Sequence, residues 1–562
     1  MTALLTDNLP LLAGAPNGIK KLRKLILELA VRGKLVPQDP KDEPASELLK
    51  RIAEEKARLV SEGKVRKQKP LAEIGAEEKP FDVPTNWEWV RVAAVGHDWG
   101  QKNPDKAFTY IDVGAVDNAA GRISAPQILM AEDAPSRARK VVRPGTVIYS
   151  TIRPYLLNVA VIEEAYEQEP IASTAFAIIH PYLEMPARYF LCYLRSPVFV
   201  RYVESVQMGI AYPAINDGQF FSGLIPLPPL AEQHRIVAKV DELMALCDRL
   251  EAQQAGAESA HAQLVQALLD SLTQARDAED CAQSWQRLAE HFHTLFTTES
   301  SIDALKQTLL QLAVMGKLVP QDPSDEPASE LLKRIADEKA QLAAEGRIKK
   351  QKPLDEILDE ERPLLLPPAW AWVKPEDFSM KITDGEHFKP DTEETGVYFL
   401  SAKDIRDDGV SLENPLFISE EAAKKALQRC DPQYGDLLIV SRGATVGRMC
   451  KVNIRERFCL LGSVILVKPS KHVLSEFLSI ALKSPDSFRQ LVNASGSTAQ
   501  PAIYLRDLKK IALPMPPLAE QHRIVAKVDQ LMALCDQLKA RLNQARQVHE
   551  QLANALVEQA VA

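Results

Sequence analysis

The sequence repeats itself, and this repeat limits the possible folds more than any other feature. Residues 34–70 recur at 317–353 with 29 of 37 positions identical, and residues 230–252 recur at 518–540 with 20 of 23 identical. The two offsets are 283 and 288 residues. In each half, the shared segments flank a stretch of about 140 residues, and these two stretches look unrelated by eye. Such a long period indicates two units built on one plan, each with its own insert.

The shared segments have the apolar spacing of helices. In the first half, one apolar stripe runs from Ile19 to Leu29 and ends at Gly33. A second helix is expected to begin at Pro44 and to end near Gly63. The second copy repeats these signals, so we expect the same pair of helices there.

A heptad pattern follows residues 230 and 518, where apolar residues step by four and three. We expect the register to continue through Leu264, Leu268 and Leu552. Sustained spacing of this kind is typical of a coiled coil, and the simplest partner for each helix is its copy in the other half. The predicted core positions are Ile236, Val240, Leu243, Cys247, Leu250, Ile524, Val528, Leu531, Cys535 and Leu538.

Two histidines, His261 and His549, fall on core positions of this register. They could form a pH-responsive or metal-binding pair, or they could be polar residues that fix the alignment of the helices. We favour the second interpretation.

The inserts contain short β-branched runs bounded by Gly, Pro and Asn, which predict a compact mixed α/β domain in each half. The whole chain is therefore expected to be α+β: two mixed α/β domains separated by long helices in an antiparallel coiled coil, as a pseudo-two-fold tandem repeat. The predicted segments are an N-terminal helical region (1–85), a first domain (86–228), a central coiled-coil region (229–300), a second helical region (301–368), a second domain (369–516) and a C-terminal coiled-coil helix (517–562).

Cysteine content and hydropathy limit the cellular setting. The seven cysteines show no spacing typical of a metal site, so we expect reduced thiols. No apolar run approaches the ~18 residues of a membrane span. The first residues lack the basic region of a secretory signal. We therefore expect a cytoplasmic protein that does not enter a membrane.

The net charge of −8 is unusual for a protein that binds DNA, but the local charge differs. Residues 122–153 hold six basic side chains against two acidic ones, and residues 442–457 hold five against one. Each insert thus has a cluster of net charge +4. Arginine clusters suit phosphate contacts and the reading of guanine. A solvated face without a partner is the alternative, and two clusters in unrelated inserts favour nucleic acid.

Motifs for catalysis are not found in the sequence. Residues 443–448, GATVGR, lack the lysine and the spacing of a phosphate-binding loop. There is no GxGxxG after a predicted strand and no HExxH, and His291 with His293 has no third ligand nearby. We expect no catalytic residue, no metal and no cofactor bound to this chain.

Several segments resemble a known family. PLPPLAEQHRIVAKVDELM and PMPPLAEQHRIVAKVDQLM, the two KLVPQDP segments, and WEWV and WAWV before the inserts resemble specificity subunits of Type I restriction–modification enzymes. Within the inserts, APSRARKVVRPGTVIYSTIRPYL, AYPAINDGQF, ITDGEHFKP and GDLLIVSRGATVGR resemble their target recognition domains. The resemblance covers nearly the whole chain.

The resemblance implies a function that periodicity alone does not show. Each insert would read one half of a split, asymmetric double-stranded DNA site, and the paired helices would set the distance between the halves. Two modification (methyltransferase) subunits, which bind S-adenosylmethionine and methylate adenine, would dock on the helices. Restriction subunits, which translocate DNA and cut it, would join them. The chain itself would perform no chemistry.

Within the resembling segments we select twelve candidate DNA contacts. They are Arg137, Arg139, Lys140, Arg153, Tyr155 and Asn216 in the first insert, and His387, Lys389, Arg442, Thr445, Arg448 and Gln500 in the second. Two other functions stay open at this point. One is a fused DNA-modifying enzyme, for which the motifs are missing, and the other is a scaffold that binds only proteins.

Overall fold

The computed structural model describes residues 8–67, 70–209, 211–276, 278–348, 357–358, 362, 364–494 and 502–561. The chain forms two compact units. The first comprises Met1–Ala257 and Ala545–Ala562, and the second comprises Glu258–Gln544. Both units combine helices with sheets, so the predicted α+β class is confirmed. Among the described residues, no helix has both the length and the apolar character of a membrane span.

Helices make the frame of each unit. The two longest, Leu230–Thr273 and Leu518–Val561, each begin in one unit and end in the other. The helices are α1 Leu9–Gly14, α2 Gly18–Val31, α3 Ala45–Ser61, α4 Val92–Val95, α5 Ala187–Leu194, α6 Pro197–Val206, α7 Asp217–Ser222, α8 Leu230–Thr273, α9 Ala278–Glu290, α10 Phe292–Leu295, α11 Glu299–Val314, α12 Ala328–Ala344, α13 Pro375–Phe378, α14 Glu420–Arg429, α15 Ser475–Lys483, α16 Pro485–Ala494, α17 Leu505–Leu508 and α18 Leu518–Val561.

Three sheets build the insert of the first unit. Their strand orders are β1-β12, β6-β3-β10-β7 and β2-β11-β8-β9-β5-β4. Strands β3 and β10 run parallel, and β11 pairs antiparallel with β8. The strands are β1 Glu88–Arg91, β2 Gly96–His97, β3 Phe108–Ile111, β4 Val116–Asp117, β5 Arg122–Ile123, β6 Gln127–Leu129, β7 Ala138–Val141, β8 Val147–Ser150, β9 Val159–Val161, β10 Glu169–Ser173, β11 Phe176–Pro181 and β12 Leu224–Leu227.

The insert of the second unit has the sheets β13-β23, β14-β22-β19-β20, β18-β15-β21 and β16-β17. Strands β15 and β21 run parallel, as β3 and β10 do in the first unit. Its strands are β13 Ala371–Val373, β14 Ser379–Asp384, β15 Val397–Leu400, β16 Ile405–Arg406, β17 Gly409–Val410, β18 Leu416–Ile418, β19 Leu437–Val440, β20 Met449–Lys451, β21 Phe458–Leu460, β22 Val464–Pro469 and β23 Leu513–Met515.

The two inserts share their fold although their sequences look unrelated. In each, an outer strand pair encloses the insert, and a buried antiparallel pair (β8 with β11, β19 with β22) forms its centre. Two short helices follow each centre and pack on a frame helix: α5 and α6 on α2, and α15 and α16 on α11. The inserts differ before the central strand, where the second has the ten-residue helix α14. The boundaries of the six predicted segments stay predictions.

A buried carboxylate joins insert and frame in each unit. Glu232, in the first turn of α8, accepts hydrogen bonds from Trp87 Nε1 (2.9 Å) and Gln38 Nε2 (2.6 Å). Burial raises the pKa of the Glu232 carboxyl, against the effect of these two donors. One side chain thus connects the helical region, the start of the insert and the long helix. We call this set the Glu232 network.

The second unit repeats this arrangement as the Glu520 network. Glu520 accepts hydrogen bonds from Trp370 Nε1 (2.8 Å) and Gln321 Nε2 (2.5 Å), and burial raises the pKa of its carboxyl too. A two-point ion pair lies beside each network. Arg235 Nη2 lies 2.6 Å from Asp42, and Arg523 Nη2 lies 2.6 Å from Asp325. The repeated sequence therefore encodes repeated contacts as well as repeated helices.

Polar contacts near the far ends of the long helices are also repeated. Lys34 Nζ donates to the Val561 carbonyl in the first unit (2.8 Å), and Lys317 Nζ donates to the Thr273 carbonyl in the second (2.7 Å). Unpaired carbonyls at a helix C-terminus favour such cations. His549 Nε2 contacts the Leu11 carbonyl at 2.7 Å, and His261 Nε2 contacts that of Thr294 at 3.2 Å. No cluster that could hold a metal is found among the described residues.

The ten predicted core positions are buried or half-buried, but the two sets lie in different units. Ile236, Val240 and Cys247 pack in the core of the first unit, which also contains Ala553 and Ala560 from the end of α18. The second set packs in the second unit, where Cys535 shares a core with residues 265–272 of α8. The start of each long helix therefore shares a core with the end of the other.

The predicted continuation of the heptad register is wrong by one residue. Leu264 is 53% exposed and Leu552 is 51% exposed, whereas the next residues, Val265 and Ala553, are buried. All of residues 251–260 are exposed, so no core holds the helix to a heptad there. Between Cys247 and Val265 the helix advances 18 residues, which is five turns at about 3.6 residues per turn. An undistorted helix thus explains the shift.

Candidate nucleic-acid interface

In each insert a loop follows one strand of the central pair, β8 in the first insert and β19 in the second. In the first, Thr151 follows β8, and its carbonyl accepts a hydrogen bond from the Ile215 N–H (2.9 Å). In the second, Ser441 follows β19 and accepts from the Ile503 N–H, also at 2.9 Å. The sequences around these isoleucines are related by the 288-residue offset: PAIN at 213–216 and PAIY at 501–504.

These bonds define equivalent positions in the two inserts. Ile152 follows Thr151, and Arg442 follows Ser441, so the two side chains occupy one backbone position. By the offset, Asn216 and Tyr504 form a second equivalent pair. Each is the residue directly before a short helix, α7 or α17. The backbone arrangement is therefore the same in the two inserts, and the side chains at these positions differ.

The first recognition surface, defined as Arg137, Ile152, Arg153, Tyr155, Tyr212 and Asn216, gathers four of the predicted residues. The guanidinium of Arg153 lies over the Tyr212 ring, 5.2 Å from its centroid. The Arg137 carbonyl accepts a hydrogen bond from the Thr174 N–H (2.8 Å). The next residue, Ala175, accepts one from the Thr151 N–H, also at 2.8 Å, so Arg137 lies near the loop that follows Thr151. Every side chain of this surface is exposed.

Three of the predicted residues of the first insert form bonds within the fold. Asn216 Oδ1 accepts the Gln219 N–H at 2.9 Å, which caps α7. Lys140 is buried, and its Nζ lies 2.8 Å from Asp217 in the first turn of α7. Lys140 is therefore not part of the exposed surface, whereas the two amide hydrogens of Asn216 stay available. Half-buried Arg139 donates from Nε to the Ser136 carbonyl.

The second recognition surface is defined as His387, Lys389, Arg442, Tyr504 and Arg506. Arg442 and Arg506 both lie over the Tyr504 ring, at 5.9 and 5.3 Å from its centroid. The loop that carries His387 is held by a hydrogen bond from the Gly462 N–H to the Glu386 carbonyl (2.7 Å). Gly462 lies in the turn between β21 and β22, directly before Ser463. Since the Ser463 carbonyl accepts the Ser441 N–H, this loop lies next to Arg442.

His387 is oriented by neighbouring side chains. Arg429 donates to Asp384 and, at 2.8 Å, to His387 Nε2. Because Nε2 accepts this bond, the ring keeps its other nitrogen, Nδ1, as the donor. Lys389 is exposed next to Phe388, which is 87% exposed.

The remaining predictions in this insert differ in outcome. Thr445 and Arg448 are half-buried in the loop 441–448, where the Arg448 N–H binds the Thr445 carbonyl at 3.0 Å. Arg448 also lies 3.8 Å from Asp407. Gln500 lies outside the described residues.

The basic clusters hold fewer free cations than their net charge suggests. Lys451 pairs with Glu476, Arg457 pairs with Glu420, and Arg143 lies over Trp99 at 4.0 Å. Arg442, Arg137 and Arg153 stay exposed. The acids that pair with Lys451 and Arg457 lie outside residues 442–457, so counting charge within that window overestimates the positive surface.

Sequence reasoning missed Tyr212 and Tyr504, whose rings lie beside the predicted Arg153 and Arg442, and Arg506, which lies over the same Tyr504 ring. Each tyrosine contacts a loop about 60 residues earlier in the chain. A signal was present, because the PAI triplet repeats in both inserts beside these residues. An aromatic ring beside an exposed arginine is a common arrangement in nucleic-acid interfaces.

Comparison with known proteins identifies the family of this site. Residues 103–257 and 383–546 match the family described as Type I restriction modification DNA specificity domain, and the two matches cover more than half of the chain. The chain belongs to this family. As a specificity subunit, it supplies DNA recognition, and not catalysis, to a restriction–modification complex.

Two relatives match this chain over nearly its whole length and over nearly their own. The Type I restriction enzyme EcoAI specificity subunit of Escherichia coli is 40% identical over 558 residues, which is 97% of this chain and 94% of the relative. The EcoEI specificity subunit, also from Escherichia coli, is 37% identical over the same shares. A solved chain described as "Structural basis underlying complex assembly and conformational transition of the type I R-M system" is 25% identical, with a TM-score of 0.54, over 86% of this chain and 99% of its own.

Proposed function

We propose that the two recognition surfaces each contact one half of a bipartite, asymmetric DNA site. The observation that carries this proposal is one backbone position with two different side chains, Ile152 in the first surface and Arg442 in the second. A base edge that accepts hydrogen bonds suits Arg442, and Ile152 offers no donor. The two surfaces therefore prefer different sequences, and the complete site is not a palindrome.

The contacts divide by chemistry. Arg442 and Arg506, stacked on Tyr504, suit guanine or phosphate. Arg137 and Arg153 supply the phosphate contacts of the first half-site. Asn216 donates through its amide, since its oxygen is engaged in the helix cap.

We infer that two modification subunits dock on the helical frame. The frame occurs twice with the same buried contacts, so it offers two equal docking sites. These partners would bind S-adenosylmethionine and methylate adenine in each half-site, and restriction subunits would complete the nuclease. The complex would act in the cytoplasm, where its DNA is accessible.

The long helices would set the gap between the half-sites. Residues 251–260 of α8 and 543–548 of α18 are all exposed, so an insertion there disturbs no core. Four residues inserted into both helices add about 6 Å. Since base pairs stack about 3.4 Å apart, we expect the permitted gap to widen by one or two base pairs. An unchanged gap would refute the spacer role.

The primary experiment maps methylated adenine across the host genome with and without this gene. We expect a split, asymmetric motif that disappears on deletion and returns with the intact gene. As a matched control, the Arg442→Ala variant should alter one half of the motif only. If no motif depends on the gene while the modification subunit is expressed, a scaffold that binds only proteins replaces the present proposal.

A further inference from the structure

Five large, mainly apolar side chains are exposed on two neighbouring loops of the first insert, and one of them is Leu156. The exposed fractions of the other four are 38% for Ile152, 53% for Tyr155, 63% for Met208 and 70% for Tyr212. An isolated apolar residue on a surface needs no explanation, but a cluster of this size marks a contact site. We call these four residues the apolar tip.

Backbone bonds fix the two loops of the apolar tip together. Ile152 and Met208 both bridge to Ala214, and the Met208 N–H binds the Ala214 carbonyl at 2.9 Å. The Arg153 N–H binds the Pro213 carbonyl at 2.8 Å. Arg153 has a φ of +48°, a left-handed conformation that is unfavourable for an arginine. The fold thus holds the apolar tip in an exposed arrangement before any partner arrives.

The charge near the apolar tip points to a nucleic acid as the occupant. Arg153 lies over the Tyr212 ring and forms no ion pair among the described residues. An exposed cation beside apolar side chains fits a ligand with anionic and apolar groups close together. The major groove of DNA offers this combination, because phosphates border it and the thymine methyl is the apolar group on its base edges.

The second insert has a different side chain at the equivalent position. Where the first presents Ile152, the second presents Arg442, which suits the acceptors of guanine. The side chain of Ile152 cannot donate a hydrogen bond, but it can bury a methyl group.

We propose that the apolar tip reads thymine methyl groups in the major groove of its half-site. This inference rests on the proposed function and adds the chemical group that the first surface recognises. Ile152 and Met208 contact the methyl groups, and Arg153 and the Tyr212 ring position them against the backbone of the DNA.

The test uses the specificity subunit with its modification subunits and a duplex that carries the mapped motif. Each thymine is replaced in turn by deoxyuridine, which removes only the methyl group. We expect at least one replacement in one half-site to weaken binding by about fourfold, the value of one buried methyl group. Replacements in the other half-site serve as the matched control and should leave binding unchanged.

Variants then assign the effect to the apolar tip. Met208→Ala and Ile152→Ala alter exposed side chains, so the fold should be kept, as circular dichroism would verify. Each variant should weaken binding of the thymine duplex by about fivefold. The same deoxyuridine replacement should then cost the variant at most about twofold, because the contact is already lost.

Other outcomes overturn the inference in distinguishable ways. If deoxyuridine has no effect in either half-site but Met208→Ala abolishes a DNA bend, the apolar tip is a wedge between base pairs. If Met208→Ala weakens only the binding of modification subunits, its occupant is a protein. In both cases a gene-dependent methylation motif would still support the proposed function, and its absence would refute both proposals.

Discussion

Ile152 and Arg442 occupy one backbone position in two units of a single chain, while Glu232 and Glu520 occupy another. At the first position the side chains differ in charge, size and hydrogen-bonding capacity. At the second, the residue and both of its donors are the same, and the corresponding bond lengths agree within 0.1 Å. Buried polar groups tolerate little change, because a lost partner leaves a donor unpaired in the core. Exposed loop positions have no such restriction, and therefore the recognised sequence can vary on an unchanged frame.

The largest effect is expected at the buried networks. Glu232→Ala leaves the buried Trp87 indole N–H without an acceptor, at a cost of about 1–3 kcal/mol in the stability of the first unit, whereas exposed Gln38 keeps its bond to the Gly33 carbonyl. Glu520→Ala should cost the second unit the same amount. Hydrogen exchange, measured separately for amides of each unit, checks both values. A cost below about 1 kcal/mol in only one of the two units would show that the two networks are not equivalent.

The conservative variant Glu232→Gln adds a pH dependence to this test. Burial raises the pKa of the Glu232 carboxyl, so the folded unit holds a proton there more readily than the unfolded chain. This carboxyl therefore stabilises the fold less as the pH rises through its folded pKa. Glutamine does not titrate, so the variant should gain stability relative to the wild type as the pH rises. A difference that is independent of pH would contradict this assignment.

Substitutions of Arg442 and of Ile152 are expected to differ in their effect on the salt dependence of DNA binding. Arg442→Ala should weaken DNA binding by about 1–3 kcal/mol and reduce the slope of log affinity against log salt by about one. Ile152→Ala should leave that slope unchanged, because its side chain contacts no phosphate. Titrations of the assembled complex at several salt concentrations measure both quantities. If Arg442→Ala changes neither affinity nor slope, Arg442 is not a DNA contact.

The sequence predicted features that depend on local periodicity, and it missed those that depend on distant loops. The helices α2, α3, α11 and α12 follow directly from apolar stripes with Pro and Gly at their ends. The register shift before Val265 was hidden, because residues 251–260 contain no large apolar side chain that would mark the true period. The pairing of Arg153 with Tyr212 was hidden because it needs two loops brought together by the sheet.

A smaller effect is expected at Asn216, which caps α7 three residues after Pro213, whose carbonyl binds the Arg153 N–H. Asn216→Ser keeps an oxygen for the cap but removes the amide hydrogens, so stability should hold while DNA affinity falls by about 1 kcal/mol. Asn216→Ala should lose both the cap and the contact. If the serine variant binds DNA as the wild type does, Asn216 serves only as the cap.

Tyr504→Phe, at the equivalent position, tests whether the hydroxyl contributes while the ring still supports Arg442 and Arg506.

The smallest effect should separate the true register of the long helices from the one that the heptad predicts. Leu264 and Leu552 hold core positions in the predicted register, and both are about half exposed. Leu264→Ala and Leu552→Ala should therefore change the stability of their units by no more than about 0.5 kcal/mol. Leu269→Ala, at a position that is 1% exposed, is the control and should cost about 2–5 kcal/mol. A large loss at Leu264 would instead mean that the heptad continues across residues 251–260. Equal, small losses at Leu264 and Leu552 would mean that both long helices return to the ordinary period of an α-helix between the two cores, where residues are exposed and nothing holds the heptad.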